Sequence, residues 1–111
     1  MQFSLRVICD RSIVETIKQR VAELTNYLSF SDGYSLSPYW KDDECVIVEL
    51  SSKIDNPNYN KIQQHIKSIS GTDNVSQYYS SSSWECRYFA HLDELHTNPN
   101  VAFVICSIFE D

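Results

Sequence analysis

Glycine and proline are scarce in this chain of 111 residues, which holds two glycines and three prolines. Collagen-like and low-complexity sequences need far more of both, so these classes are excluded. Gly33 and Gly71 are also too few for a glycine-rich loop that cradles a phosphate. Long apolar runs are missing too, because the longest, Val101–Cys106, is far short of the roughly 18 residues that indicate a membrane span.

Basic side chains are in the minority, with nine Lys and Arg against fifteen Asp and Glu and a net charge of −6. Residues 1–31 carry four basic and three acidic side chains, whereas residues 32–111 carry five basic and twelve acidic. Nucleic acids and anionic membranes are therefore disfavoured partners, since both are bound by clustered Lys and Arg. A cationic protein remains a permitted partner, because long-range attraction speeds its encounter with an acidic surface.

Closely spaced cysteines are absent. At least 19 residues separate any two of Cys9, Cys45, Cys86 and Cys106, so there is no CxxC motif of a zinc ribbon or a redox protein. The N-terminal residues 1–9 alternate polar and apolar and do not have the character of a secretory signal. We therefore expect buried thiols in a cytoplasmic protein, where disulfides are rare.

Two periodicities are present along the chain. Alternating or nearly unbroken apolar segments predict strands, and apolar residues three and four apart predict helices. Ser12 and Glu15 have the spacing of a capping box at the start of the first helix. The predicted strands are roughly Gln2–Cys9, Tyr34–Trp40, Cys45–Leu50, Trp84–Ala90 and Val101–Phe109, and the predicted helices are roughly Ile13–Tyr27 and Tyr59–Ser70. The polar residues 72–83 are interpreted as a loop, and residues 91–100 as a connection with room for one helical turn.

This element order predicts one α+β domain over residues 1–111. Its first six elements match a split β-α-β (ferredoxin-like) layout, with an extra strand. The expected architecture is a mainly antiparallel five-stranded sheet with two helices on one face. Pro38 lacks a backbone N–H, which favours an edge position for its strand. Either Trp84–Ala90 or Val101–Phe109 can lie beside the first strand, and the apolar character of Val101–Phe109 favours that segment.

Catalytic and metal-binding patterns are weak. His91, His96, Cys86 and Asp93 suggest a metal site around residues 86–96, but the histidine pair is five residues apart, and helical ligand pairs are usually three or four apart. A cysteine nucleophile needs a histidine, an orienting group and an exposed, electropositive setting. The four cysteines lie instead in apolar strands of an acidic chain. We therefore expect no metal, no other cofactor and no enzymatic activity.

Aromatic residues adjacent to acidic ones are the most informative surface feature. Tyr39 and Trp40 precede the polar stretch Lys41–Glu44 at a predicted hairpin tip. Tyr and Trp are favoured anchors at protein interfaces, and carboxylates around them can meet Lys and Arg of a basic partner. The alternative is that the aromatics complete the core and the acids are simply solvated. The predicted partner-binding residues are Tyr39, Trp40, Asp42, Asp43, Glu44, Glu85, Asp93 and Glu94.

In this combination the chain resembles bacterial immunity proteins, the antidotes to polymorphic toxins, including those of contact-dependent growth inhibition systems. The resemblance covers the full length and rests on the compact α/β pattern, the acidic excess after residue 32, the segment Tyr39–Glu44 and the lack of a catalytic motif. It implies that the protein binds a cognate, often basic, toxin domain such as a nuclease. Binding would block the active site of the toxin or its approach to substrate.

Two other functional classes stay open. Split β-α-β folds often associate through sheet edges or helices and bind small molecules, so a regulatory or ligand-binding module that acts as an oligomer is an alternative. A small cysteine-dependent enzyme is a third interpretation, because any of the four thiols can meet a histidine after folding.

Overall fold

The structure is a computed structural model that describes residues 1–111. It contains six strands and three α-helices, and a short 3-10 turn over Arg11–Ile13 leads into the first helix. The strands are β1 (Gln2–Asp10), β2 (Ser35–Pro38), β3 (Cys45–Lys53), β4 (Ser76–Tyr79), β5 (Ser83–Tyr88) and β6 (Phe103–Phe109). The helices are α1 (Val14–Leu28), α2 (Tyr59–Ser70) and α3 (Leu92–Thr97).

The six strands form one open sheet in the order β2-β3-β1-β6-β5-β4, with every neighbouring pair antiparallel. Strand β1 therefore lies at the centre, between β3 and β6. The strands β1 and β2 are connected through α1 and are separated by β3, which is a split β-α-β unit. A second unit runs from β3 through α2 to β6, with β1 between its strands. The hairpin β4-β5 precedes β6 in the chain and widens the sheet beyond it.

One face of the sheet carries the main core. Alternation along β1 places Phe3, Leu5, Val7 and Cys9 on this face, and all four are buried. The apolar stripes of α1 and α2 pack against them, because residues three or four apart lie on one side of a helix. The buried helical residues are Ile17, Val21 and Leu24 of α1 and Ile62, Ile66 and Ile69 of α2. The predicted pair of helices on one face is confirmed.

The third helix packs on the opposite face. Leu95 of α3 is 1% exposed and belongs to a small second cluster with Ile8, Cys45 and Val101. Ile8 is the even-numbered neighbour of Val7 in β1, so it points away from the main core. Helix α3 covers only this end of the face. The predicted count of two helices is therefore one short, although α3 lies where the sequence left room for one helical turn, in residues 91–100. Six residues with a single buried side chain give almost no periodic signal.

The prediction of five strands was also one short. The loop predicted over residues 72–83 is wrong in part, because Ser76–Tyr79 form the edge strand β4. Three of its four residues are exposed, so hydrophobic alternation is missing. Backbone pairing with β5 forms the strand, and Gln77 adds a side-chain contact by accepting a hydrogen bond from the indole N–H of Trp84 at 3.1 Å. The predicted edge position of Pro38 and the pairing of β6 with β1 are both confirmed.

The first helix begins differently from the predicted capping box. The Oδ1 atom of Asp10 accepts the Ser12 N–H at 2.9 Å, and Glu15 pairs with Lys18 at 3.0 Å instead of capping. The insertion of a 3-10 turn shifts the start of α1 past Ser12, so the expected Ser12 cap does not form. Asp10 is thereby fixed at the end of β1.

Gly71 ends helix α2 in a conformation that other residues adopt at a cost. Its φ angle is +77°, and it follows directly after the last helical residue. A Cβ atom at this position would lie 1.7 Å from the carbonyl oxygen of Asn100. The close approach of two backbones therefore requires glycine here.

We predict that Gly71→Ala lowers the free energy of unfolding by at least about 2 kcal/mol, because it adds backbone strain and a clash. Urea unfolding followed by the fluorescence of the buried Trp84 measures this loss. Gly33→Ala is the matched control, since a Cβ there meets nothing within 4 Å, and its effect should stay within about 0.5 kcal/mol. Equal effects of the two substitutions would contradict the assignment.

Candidate functional site

The candidate site lies on the face of the sheet that α1 and α2 leave uncovered. Alternation places Arg6 and Ile8 of β1 on this face, opposite the core residues. Ile105 and Phe103 of β6 pair with these two residues, so they lie on the same face. Helix α3 covers one end, and the rest of this open face is available to a partner.

A groove of about 450 Å³ runs over the open face. It combines an apolar floor with an ion pair, because Arg6 and Glu49 both line it and their charged atoms lie 3.3 Å apart. A smaller pocket of about 120 Å³, lined only by hydrophobic residues, adjoins it beside α3 and shares Ile8, Tyr39 and Phe103. The groove is lined by Arg6, Ile8, Tyr39, Trp40, Lys41, Ile47, Glu49, Phe103 and Ile105.

Aromatic side chains stand exposed around this groove. Trp40 is 80% exposed, and the Lys41 ammonium lies 4.9 Å from the centre of its ring. Phe89 is 55% exposed and packs edge-on against Phe103, with ring centres 4.9 Å apart. The guanidinium of Arg87 lies 4.6 Å from the Phe89 ring. Large exposed aromatics on one face are typical of a surface that is covered by a partner.

The acidic loop, residues 39–45, is held in a fixed shape by backbone hydrogen bonds. Tyr39 N–H donates to the Cys45 carbonyl at 3.1 Å, and Cys45 N–H donates to the Asp42 carbonyl at 3.0 Å. Arg11 adds two contacts from outside, since its backbone N–H reaches the Glu44 carbonyl and its Nε reaches the Asp43 carbonyl, both at 2.8 Å. The loop is therefore ordered before any partner arrives.

His96 of α3 joins this loop to the end of β1. Its Nε2 lies 2.6 Å from Asp42 Oδ2, and its Nδ1 lies 2.7 Å from Asp10 Oδ2 and 3.5 Å from Glu44 Oε2. Hydrogen bonds to Asp42 and Asp10 raise the pKa of His96 to about 9. The hydrogen bond from His96 in turn lowers the pKa of Asp42. The His96 cluster, defined as His96, Asp10, Asp42 and Glu44, thus connects three segments that are far apart in sequence.

The structure brings most of the predicted partner-binding residues to one end of the molecule. Tyr39, Trp40 and the three acids of residues 42–44 share the loop, and Asp93 and Glu94 lie on α3, which His96 attaches to that loop. Three of the acids form contacts within the protein, since Asp42 and Glu44 both contact His96 and Glu94 accepts a hydrogen bond from the Tyr88 hydroxyl at 2.5 Å.

Glu85 lies apart from this group. It is on β5, paired with Ser107 of β6, whereas the loop adjoins the far end of β3. Its carboxylate forms an ion pair with Arg87 at 3.2 Å. Glu85 therefore shares the open face but not the acidic loop.

The thiols are all free and buried. Cys86 faces the main core whereas His96 lies on the other side of the sheet, so the metal site imagined around residues 86–96 does not assemble. A different thiol does meet an imidazole and carboxylates, because Cys45 Sγ, a carboxylate oxygen of Asp42 and a ring nitrogen of His96 lie within 4.8 Å of one another. The only sequence signal for this convergence was the spacing of Asp42 and Cys45, three residues apart.

The surroundings of Cys45 do not favour a nucleophile. Burial and then the charges of Asp42, Asp10 and Glu44 raise the pKa of the thiol to about 11, whereas a reactive cysteine needs a lowered pKa. Cys45 is 0% exposed and lines neither the groove nor the smaller pocket on the open face. The sulfur is therefore not exposed to a substrate in this conformation.

Comparison of the chain with protein-family models, curated proteins and solved structures gives no match. None of the helices combines the length and the apolar character needed to cross a membrane.

We predict that all four thiols of the folded protein react with iodoacetamide at pH 8 at least about 100-fold more slowly than in the urea-unfolded chain. Burial removes access, and it raises the thiol pKa of Cys9 to about 12 and of Cys86 to about 11, which removes thiolate. Mass spectrometry of labelled peptides measures each site separately. Fast labelling of Cys45 alone in the folded state would instead support the cysteine-enzyme interpretation.

Proposed function

We propose that this protein is an immunity protein, which binds a basic toxin domain such as a nuclease and blocks its active or substrate-binding surface. The observation that carries the proposal is Trp40, a tryptophan that is 80% exposed in a rigid acidic loop at the edge of an apolar groove. The four free cysteines are consistent with a reducing cytoplasm, where an antidote of this kind would act.

Two acids of the loop supply the charge for the encounter. Asp43 is exposed, and the side chain of Glu44 is 77% exposed. The groove of a nuclease is cationic because it binds phosphate, so fixed carboxylates can occupy it. Such charges mainly raise the association rate, and their effect weakens as salt increases. Asp42 contributes differently, since its contact with His96 fixes the loop that presents the other two acids.

The open face supplies the apolar contact. Trp40 offers a large aromatic surface with few rotatable bonds, which costs little conformational entropy on binding. The adjoining groove of about 450 Å³ has room for an apolar side chain of the partner. Because the loop is already ordered by its hydrogen bonds, little further ordering is required when the complex forms. This combination favours slow dissociation.

The direct test uses basic toxin domains encoded beside the gene for this chain. Each domain is expressed in bacteria with and without the protein, and its purified, catalytically inactive form is titrated against the protein by biolayer interferometry. We predict that one domain arrests growth, that co-expression restores growth, and that the pair forms a 1:1 complex. If the toxic domains neither bind nor are neutralised, the proposal is wrong.

A second prediction distinguishes the contribution of charge to binding from the contribution of apolar contact. Asp43→Lys with Glu44→Lys should lower the association rate roughly tenfold at low salt, and the loss should shrink at high salt. Trp40→Ala should instead raise the dissociation rate and cost about 2 kcal/mol of affinity. Stopped-flow or surface plasmon resonance at several salt concentrations measures both rates.

Asp32→Lys with Asp73→Lys is the matched control for the charge reversal. Both residues are exposed, they lie in the α1-β2 and α2-β4 connections, and the net charge changes by the same amount. A decrease in association rate as large as that of the loop variant would show that total charge, and not the acidic loop, governs binding.

A ligand-binding module is the second candidate function, and one observation favours it. The pocket of about 120 Å³ beside α3 is lined only by hydrophobic residues and opens next to the larger groove. A small apolar ligand that raises the melting temperature, together with a concentration-dependent oligomer in size-exclusion chromatography, would support this module over the immunity protein.

A further inference from the structure

We propose that Asp42, Cys45 and His96 form a binding site for a zinc-like divalent cation, and that Asp10 orients the His96 ring for it. The site lies under the acidic loop, at the contact between α3 and the β2-β3 connection. It does not depend on the immunity proposal, because cation binding is measured on the isolated chain. The inference rests on donor chemistry, donor geometry and the burial of one thiol.

The three donor atoms are the types that zinc prefers. Zinc is bound in proteins by cysteine sulfur, histidine nitrogen and carboxylate oxygen, whereas magnesium and calcium require oxygen donors. A thiolate with an imidazole therefore selects zinc or cobalt over those ions. Asp42 and Cys45 are also separated by two residues, as are the paired ligands of many zinc loops. The three donors thus provide both the identity and the spacing of a zinc site.

The three donor atoms converge on one point of the structure. All three lie within 4.8 Å of one another, and Asp42 Oδ2 lies 2.6 Å from His96 Nε2. A tetrahedral zinc with bonds of about 2.0–2.3 Å needs donors roughly 3.2–3.7 Å apart. Binding therefore needs an inward movement of the sulfur of up to about 1.5 Å and a slight opening of the contact between His96 and Asp42.

The surrounding hydrogen bonds orient both polar ligands. His96 directs Nε2 toward Asp42 and Nδ1 toward Asp10 Oδ2, at 2.7 Å. A histidine that binds metal typically donates its other ring N–H to a carboxylate, which fixes the ring and its tautomer. The second oxygen of Asp42, Oδ1, accepts the Glu44 N–H at 2.9 Å. The carboxylate of Asp10 and the backbone N–H of Glu44 therefore act as outer partners of the two ligands.

Cys45 distinguishes a cation site from a simple ion-pair cluster. A protonated His96 accounts for its own contacts with the carboxylates, and packing with Leu95 accounts for the burial of Cys45. Neither explains why the sulfur lies against both a carboxylate and an imidazole. Cys45 is 0% exposed, its sulfur has no hydrogen-bond partner, and it lies within 4.8 Å of both Asp42 and His96. A cation would give this buried sulfur a favourable partner among carboxylates that otherwise repel its thiolate.

The binding step is balanced by proton release. The sulfur–hydrogen bond of Cys45 and the Nε2–hydrogen bond of His96 break, both protons go to solvent, and the freed electron pairs bind the cation. The side chains of Asp42 and His96 are 20% and 28% exposed, which leaves a path for the ion and a fourth position for water. Asp43 and Glu44 remain available on the outer side of the loop.

Titration of the full-length, metal-free protein with Zn²⁺ and Co²⁺ tests the proposal. Isothermal calorimetry should show one equivalent of zinc bound, and the cobalt form should show a thiolate-to-cobalt charge-transfer band with the visible absorption of a tetrahedral ion. His96→Gln and Cys45→Ala should each weaken binding at least about 100-fold and remove the band. Asp10→Asn should weaken binding roughly 10- to 100-fold, as expected for an outer partner.

His91→Gln and Asp93→Asn serve as matched controls, because both residues are exposed, lie at α3 and are not among the three donors. Neither should change the affinity. Since His96 is at the surface, circular dichroism of His96→Gln should show an intact fold even if Cys45→Ala is destabilised. The proposal is overturned by a lack of saturable binding, by zinc binding that survives His96→Gln, or by a cobalt spectrum without a thiolate band.

Discussion

The central position of strand β1 is the constraint on which the rest of the structure depends. Its odd-numbered residues face the helices, and its even-numbered residues face the open side. The odd set is Phe3, Leu5, Val7 and Cys9, which forms the middle of the core. The even set includes Arg6 in the groove and Asp10 in the His96 cluster. One nine-residue strand therefore supports both the core and the candidate site, and a slip in its register would exchange the two faces.

Asp10 connects the side of the sheet that α1 and α2 cover to the open face. One of its oxygens accepts the N–H of Ser12 and starts the turn into α1, while the other contacts His96 of α3. The first contact therefore leads the chain into a helix of the main core, and the second lies on the open face. A short helix of six residues with one buried leucine has little stability alone. Its position therefore depends on Leu95 in the small cluster and on His96 at the carboxylates.

The sequence predicts the parts of this structure that repeat and misses the parts that depend on single contacts. Helix α2 has the predicted bounds Tyr59–Ser70, because four apolar residues at helical spacing are followed by Gly71. Strand β4 was missed because pairing with β5, and not its own pattern, forms it. The His96 cluster joins residues 10, 42, 44 and 96, and no local pattern connects positions so far apart. The acidic loop was visible only as composition, without the histidine that fixes it.

Asp42 of the acidic loop forms a contact within the protein, whereas Asp43 and Glu44 are exposed to solvent. This difference bears on both proposals. If all the acids of residues 42–44 were solvated, their mutual repulsion would favour a mobile loop. His96 instead offsets the charge of Asp42 and fixes it, so the exposed Asp43 and Glu44 are presented from a rigid base. A cation bound by Asp42, Cys45 and His96 would strengthen this base without touching Asp43. Because the two protons released from Cys45 and His96 balance the two charges of the cation, the net charge of the site does not change. The affinity for a basic partner would then rise on cation binding only because the loop is held more firmly.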